Sequence, residues 1–205
     1  MDNPDIKQIR GSEDLIEKIK QCKNRKTRFR ILNNYLSDAN LLRNGLWLEF
    51  GVYKGETINQ ISQFCDKVYG FDSFYGLPEY WIKDHDKGYF NMDGIPPTKI
   101  NDNVELIIGL FQDTLDDFIK NNIEDKYDQI TFINFDCDLY SSTKFVLDKL
   151  KKYIKKGTIL YFDELIVYDI MNSEFRALSE FIHDNNIDYK LHYRNCQYQL
   201  VVEIL

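Results

Sequence analysis

The sequence predicts an α/β fold, an open and mostly parallel sheet with helices on both faces. Short apolar runs recur from residue 46 onward, amphipathic stretches separate them, and most runs stop at or beside an acidic residue. Strands separated by helices need crossover connections, which make neighbouring strands parallel. Ligands of such sheets bind outside the carboxyl ends of the strands, where these acids collect.

Residues 1–45 read as an N-terminal helical segment and residues 46–205 as the sheet domain. Asp14 to Cys22 carries Leu15, Ile16 and Ile19 on one helical face, and Thr27 to Leu36 repeats the pattern with Phe29, Leu32, Tyr35 and Leu36. The predicted strands are Leu46 to Phe50, Lys67 to Phe71, Val104 to Ile108, Ile130 to Phe135 and Thr158 to Phe162. Helical periods fill Thr57 to Phe64, Leu115 to Ile119, Ser142 to Ile154 and Ser173 to His183. Two last strands, Tyr189 to Tyr193 and Tyr198 to Ile204, turn at Asn195-Cys196 and form an antiparallel hairpin that closes the sheet edge. One crossover is missing its helix. Tyr80 to Asp102 contains Gly88, Gly94 and Pro96-Pro97 among aromatic and charged residues, and reads as a lid over the site or as a surface excursion.

A chain of 205 residues suits one domain, and 43% hydrophobic with 15% aromatic residues is a globular composition. The net charge of −7 argues against a phosphate-backbone binder. No apolar run reaches the ~18 residues of a membrane span. The opening Met1-Asp2-Asn3-Pro4-Asp5 is unlike a signal peptide. Cys22, Cys65, Cys137 and Cys196 lack metal-finger spacing and read as reduced thiols of a cytoplasmic protein. The partners expected are small molecules, with neither nucleic acid nor membrane.

Glu49-Phe50-Gly51-Val52-Tyr53-Lys54-Gly55 leaves the first strand and enters a helix. Gly51 and Gly55 let the backbone turn sharply and approach a ligand, or serve only a tight turn. The pattern lacks the three glycines of G-x-G-x-x-G, and Glu49 suits an amino group better than a pyrophosphate. Asp72, ending the second strand, is placed to accept hydrogen bonds from a ribose diol, or to cap and solvate. Gln112 and Asp113 follow the third strand, where an adenine amino group would be held, although Asp113 also fits a helix cap. Together these match S-adenosylmethionine, which has an amino-acid end, a ribose and an adenine. Thr57, Ser73 and Asp136 are the remaining expected cofactor contacts.

Asp136 and Asp138 follow the fourth strand, and Asp163 and Glu164 the fifth. On neighbouring strand ends these carboxylates repel one another unless protons or a cation compensate. Hard oxygen donors select Mg²⁺ or Ca²⁺. Alternatively they are separate caps and solvated acids. Cys137 has no base beside it in sequence. Ser141 and Ser142 suit either the acceptor pocket or a helix cap. His85 and His183 read as surface residues.

Leu48 to Gly55, Gly70-Phe71-Asp72-Ser73-Phe74-Tyr75-Gly76-Leu77-Pro78 and Asp136-Cys137-Asp138-Leu139-Tyr140-Ser141-Ser142-Thr143 carry a family resemblance, continued by Gly157 to Asp163 and Ala177 to Phe181. In them the sequence resembles class I S-adenosylmethionine-dependent methyltransferases of the macrocin O-methyltransferase type. The resemblance implies a Rossmann-like, seven-stranded sheet, methyl transfer to a hydroxyl, often on a sugar of a natural product, and a divalent cation such as Mg²⁺. It implies metal ligation by Asp136, Asp163 and Glu164, the last standing where the family pattern has a second aspartate. Catechol-type relatives place a lysine base at the position of Leu139, so the base here is Asp138 or Asp136, with His192 a distant candidate. The N-terminal helices resemble elements such enzymes use for association, implying a homo-oligomer. The competing readings are methyl transfer without a metal to another group, and a cofactor-binding protein without catalysis.

Overall fold

The computed structural model describes residues 4–22, 24–25, 31–165, 170–195 and 199–205. The strands are β1 (Asn24–Arg25), β2 (Leu46–Phe50), β3 (Val68–Asp72), β4 (Val104–Ile108), β5 (Ile130–Phe135), β6 (Ile159–Phe162), β7 (Tyr189–Asn195) and β8 (Leu200–Ile204). They form one sheet in the order β1-β7-β8-β6-β5-β2-β3-β4. Seven are the predicted strands, their ends displaced by no more than two residues, the most at the C-terminal hairpin, where β7 runs on to Asn195. The eighth, β1, is a two-residue parallel edge pairing of Asn24 and Arg25 with β7, too short to leave a sequence pattern. The hairpin closes the edge with its second strand inside: β8 lies antiparallel to both β6 and β7. Tyr198 and Cys196, given to the hairpin by the sequence, lie outside the described residues, as does Phe29.

The helices are α1 (Ser12–Gln21), α2 (Ile31–Asp38), α3 (Glu56–Ile61), α4 (Phe111–Phe118), α5 (Tyr140–Leu150) and α6 (Glu174–Asp184). Leu15, Leu115, Val146 and Leu178 bring α1, α4, α5 and α6 onto one face of the sheet. Leu32 and Ile58 bring α2 and α3 onto the other. The crossover from β3 to β4 contains no helix among the described residues, as its glycines and prolines predict. Helix α4 starts four residues before the predicted Leu115, at Phe111, and continues as a π-helical turn over Ile119–Ile123.

Register explains how the strand ends are aligned. Phe50 pairs with Phe71 and with Phe135, and Phe135 pairs with Phe162. Their rings stack at 4.7 Å, 6.1 Å and 4.8 Å between centroids, all on one face. Each ring is fully buried, a contribution of roughly 2–3 kcal/mol apiece. The next residue on each strand, Gly51, Asp72, Asp136 or Asp163, therefore falls in one row at the carboxyl edge.

Helices α5 and α6 are joined by a small polar clamp. Glu180 accepts bonds from Tyr140 Oη at 2.9 Å and Arg176 Nε at 2.9 Å. Burial opposes the charge of Glu180, but these bonds hold its carboxyl below the usual glutamate range. A carboxyl held low in the folded state stabilises above its unfolded pKa of about 4.3 and loses that as pH falls through the folded value. Glu180→Gln is thus expected to cost about 1–2 kcal/mol at neutral pH. Denaturant titrations should show the gap from wild type closing once the pH falls below about 4; an unchanged gap would remove the clamp's ionic part.

Candidate functional site

Above the carboxyl edge lies a cavity of about 610 Å³, lined by Gly51, Asp72, Asp136, Asp138, Asp163 and Glu164 on the sheet side. A volume of a few hundred Å³ or more is that of a small-molecule site.

Gly51 begins the loop after β2 with φ +90°, a conformation that side chains disfavour. A Cβ built there would lie 1.9 Å from the Asp136 carbonyl oxygen, so the loop can cross β5 only as glycine. The loop is then held by Asp72. Its Oδ2 accepts from the amides of Val52 at 2.9 Å and Tyr53 at 2.8 Å, and its Oδ1 accepts from the Phe74 amide at 2.8 Å. Asp72 is expected to meet a ribose; its first partners are the backbone of two loops, with a lone pair of Oδ1 left for a ligand hydroxyl.

Glu49 lies one residue below the loop and pairs in register with Asn134, whose Nδ2 donates to Glu49 Oε1 at 2.7 Å. Glu49 is fully buried and does not line the cavity, while its Oε2 has no hydrogen-bond partner among the described residues. Burial is the main cause that raises its carboxyl well above the usual range, and the Asn134 bond opposes it. Gly55, Thr57 and Asp113, expected from sequence as cofactor contacts, are not among the residues lining this cavity. Leu110 is the α4 cap position, so Asp113 lies inside the first turn and is exposed rather than capping. Gln112 and Ser73 do line the cavity, with Glu56, Tyr53, Leu110 and Phe111, which sequence reasoning passed over.

The acids after β5 and β6 meet as predicted. Burial first, then Asp163, Asp138, Glu49 and Glu174, push the Asp136 carboxyl well above its usual range. Burial, Glu164 and Asp163 do the same to Asp138. Asp138 adopts φ +65°, left-handed for a side-chain-bearing residue. Gln199, leading into β8, donates to Asp163 Oδ1. Among the described residues no three of these groups converge on a point that a cation would occupy. The donor chemistry nevertheless fits a hard cation, since carboxylates that raise one another's pKa share one cavity wall.

The helix-free crossover forms the opposite wall. It is hydrogen-bonded, with Leu77 N–H donating to Tyr89 O, Gly88 N–H to Leu77 O, and Met92 N–H to Phe74 O. Leu77, Pro78, Trp81, Ile82, His85 and Phe90 face the cavity from it. His85, expected at the surface, is half-buried and faces the cavity, and His183 is exposed. Ser141, not a cap, donates to Glu79 Oε1 at 2.5 Å and ties this wall to α5. Ser142 is buried and lines the cavity. His192 does not line the cavity and is bonded to Glu203 at 2.6 Å across β7 and β8.

Glu174 was missed. It follows Ser173 at the start of α6 and is fully buried behind the Asp136–Asp138 turn.

A family profile described as a methyltransferase domain matches residues 48–165, more than half of the chain. None of the curated proteins matches. Among solved structures, the calicheamicin methyltransferase CalS11 has 19% identity and TM-score 0.62, over 93% of this chain and 78% of that one. CalS11 is also described as a TDP-rhamnose 3'-O-methyltransferase. The O-methyltransferase NovP has 18% identity and TM-score 0.59, over 92% and 78%. An O-methyltransferase from Bacillus cereus in complex with SAH has 16% identity and TM-score 0.52, over 94% and 89%. At such identities the likeness is one of fold.

Proposed function

This chain belongs to the methyltransferase domain family, and from that premise we propose that it is an S-adenosylmethionine-dependent O-methyltransferase of the macrocin type. The acceptor proposed is a hydroxyl of a small polyhydroxylated molecule, a sugar or glycosylated metabolite, in keeping with the acceptor named for CalS11. One observation carries the reading. The register of four strands sets a glycine crossing and three aspartates in one row beneath a cavity of about 610 Å³.

In this reading the Gly51 loop and Asp72 bind the cofactor's amino-acid and ribose portions, with Glu49 bonded to Asn134 beneath the loop. Gln112 and Phe111, which line the cavity, would hold the adenine. Asp136, Asp163 and Glu164 would hold a divalent cation, which when bound supplies Lewis acidity toward the acceptor hydroxyl. Asp138 takes the hydroxyl proton. Trp81, His85 and Phe90 exclude water and hold the acceptor's apolar face, so that oxygen, methyl carbon and sulfur align. Transfer without a cation is the second reading, favoured by the lack of a converged three-acid group among the described residues.

The reading is tested with methyl-labelled S-adenosylmethionine and a panel of glycosides and nucleotide sugars. Label should appear on an acceptor oxygen; tight cofactor binding with no transfer to any acceptor would instead favour a non-catalytic binder. Asp72→Ala is expected to weaken S-adenosylmethionine binding by about 1–3 kcal/mol by calorimetry, through the loop it holds as well as the lost acceptor. An unaltered affinity in a folded variant would take Asp72 out of the site. Residues 80–102 should be cleaved by protease more slowly once cofactor and acceptor are bound. Equal cleavage in both states would leave the segment a fixed wall.

A further inference from the structure

We infer that His85 is a specificity residue of this site: its Nε2 accepts a hydrogen bond from a second hydroxyl of the acceptor, one that is not methylated. The inference rests on the acceptor class proposed above. It narrows that class to polyols, such as pyranosides, that turn one hydroxyl to the acidic wall and another to the crossover wall.

One contact fixes the tautomer. His85 Nδ1 lies 3.3 Å from the Lys83 carbonyl oxygen. A carbonyl can only accept, so in the neutral ring Nδ1 carries the proton and Nε2 is left as an acceptor. Nε2 has no hydrogen-bond partner among the described residues, yet it is not buried, so it stays open to a ligand. The Trp81 indole N–H beside it is the opposite case, buried and unpartnered among the described residues. Leu77, Pro78, Ile82 and Phe90 complete this wall and bring no polar side-chain atom. His85 therefore supplies its one open hydrogen-bonding side chain among the described residues.

The ring is held before any ligand arrives. Its centroid lies 5.3 Å from the Trp81 ring at 88°, and 4.0 Å from the Tyr89 ring at 47°. Trp81 N–H donates to His85 O at 3.1 Å, and His85 N–H donates to Ile82 O at 2.9 Å. These bonds close a turn in which Asp84 takes φ +68°. Ordering a side chain in advance removes a cost that binding would otherwise carry. A few polar groups fixed on a mainly apolar lining are what orient a small molecule in its pocket. The acids after β5 and β6 line the facing wall, so an acceptor bound between the two offers a hydroxyl to each.

The test uses wild type, His85→Phe and His85→Gln, with methyl glycosides and their monodeoxy analogues as probes. The first substitution keeps an aromatic ring and loses Nε2; the second restores an acceptor oxygen. Saturation-transfer NMR on protein loaded with S-adenosylhomocysteine reads glycoside affinity, and kcat and KM are read with labelled S-adenosylmethionine. His85→Phe is expected to raise Kd and KM for the glycoside by about 10-fold or more, with kcat within a few-fold and S-adenosylmethionine affinity unchanged. Wild type should lose as much on one monodeoxy analogue, on which His85→Phe loses nothing further. His85→Gln should recover part of the loss. Unaltered glycoside affinity in His85→Phe would overturn the inference, and so would equal losses by that variant on every monodeoxy analogue. A kcat that collapses while KM holds would also overturn it and make His85 a proton acceptor. Should His85→Phe not fold, His85→Ala is read by the same criteria. Glycosides that bind but are never methylated would fail the transfer reading alone, because affinity still decides the role of His85. A wild type that binds no glycoside would overturn both.

Discussion

Gly51→Ala is expected to abolish cofactor binding and to destabilise the protein severely. The added Cβ would meet the Asp136 carbonyl oxygen at 1.9 Å and carbon at 2.6 Å, both backbone atoms that no side-chain rotation can move. The backbone angle of +90° adds a second penalty for any residue with a side chain. Relief requires parting the loop from β5, which breaks the bond from Asp136 N–H to Phe50 O and the bonds to Asp72. A loss of at least about 3 kcal/mol in folding stability is expected from strain of this kind. Calorimetry should detect no S-adenosylmethionine binding at concentrations that saturate wild type. A Gly51→Ala variant of native stability and affinity would mean that the loop does not run this close to β5.

The second large effect is expected at the acidic wall. Asp136→Asn and Asp163→Asn keep side-chain volume and remove the anionic oxygen a hard cation prefers. Loss of several kcal/mol of charge stabilisation corresponds to roughly 100-fold or more in methyl transfer. Glu164→Gln should be equally severe if it binds the cation directly and milder if it acts through water. Wild type should also gain melting temperature on addition of Mg²⁺, because the cation relieves mutual repulsion of buried carboxylates, and Asp163→Asn should not. Equal thermal responses in the two proteins would place the cation elsewhere.

Much of this architecture could be read from the chain because apolar runs and acids alternate in a simple order. Phe50-Gly51, Phe71-Asp72, Phe135-Asp136 and Phe162-Asp163 repeat one design, a core ring followed by a residue of the ligand edge. Once the strands are parallel neighbours, that order alone assembles the row. The absent crossover helix was legible too, since Gly88, Gly94 and Pro96-Pro97 break any helical period.

What was not legible depends on partners far apart in sequence. Asp72 reads as a ribose acceptor, and only the fold shows that it also accepts from the Val52 and Tyr53 amides. Glu49 appears to face the ligand, yet pairing with Asn134 across β5 holds it beneath the loop. His85 sits in a polar run, and only the folding of its loop against Trp81 and Tyr89 turns it toward the cavity. Glu174 carries no local sign of burial. An asparagine inside the apolar run Ile130 to Phe135 was the one usable hint that a buried polar partner waited on the adjacent strand.

Mass spectrometry of the methylated product, with an acceptor identified from the panel, can follow transfer in wild type before chelation, after exhaustive chelation, and after return of Mg²⁺. The proposed site requires methyl transfer to an acceptor oxygen that drops by about 100-fold or more on chelation and returns with Mg²⁺. Transfer undiminished by chelation, and equally undiminished in Asp163→Asn, would contradict it and leave the acids as a metal-free wall around Asp138.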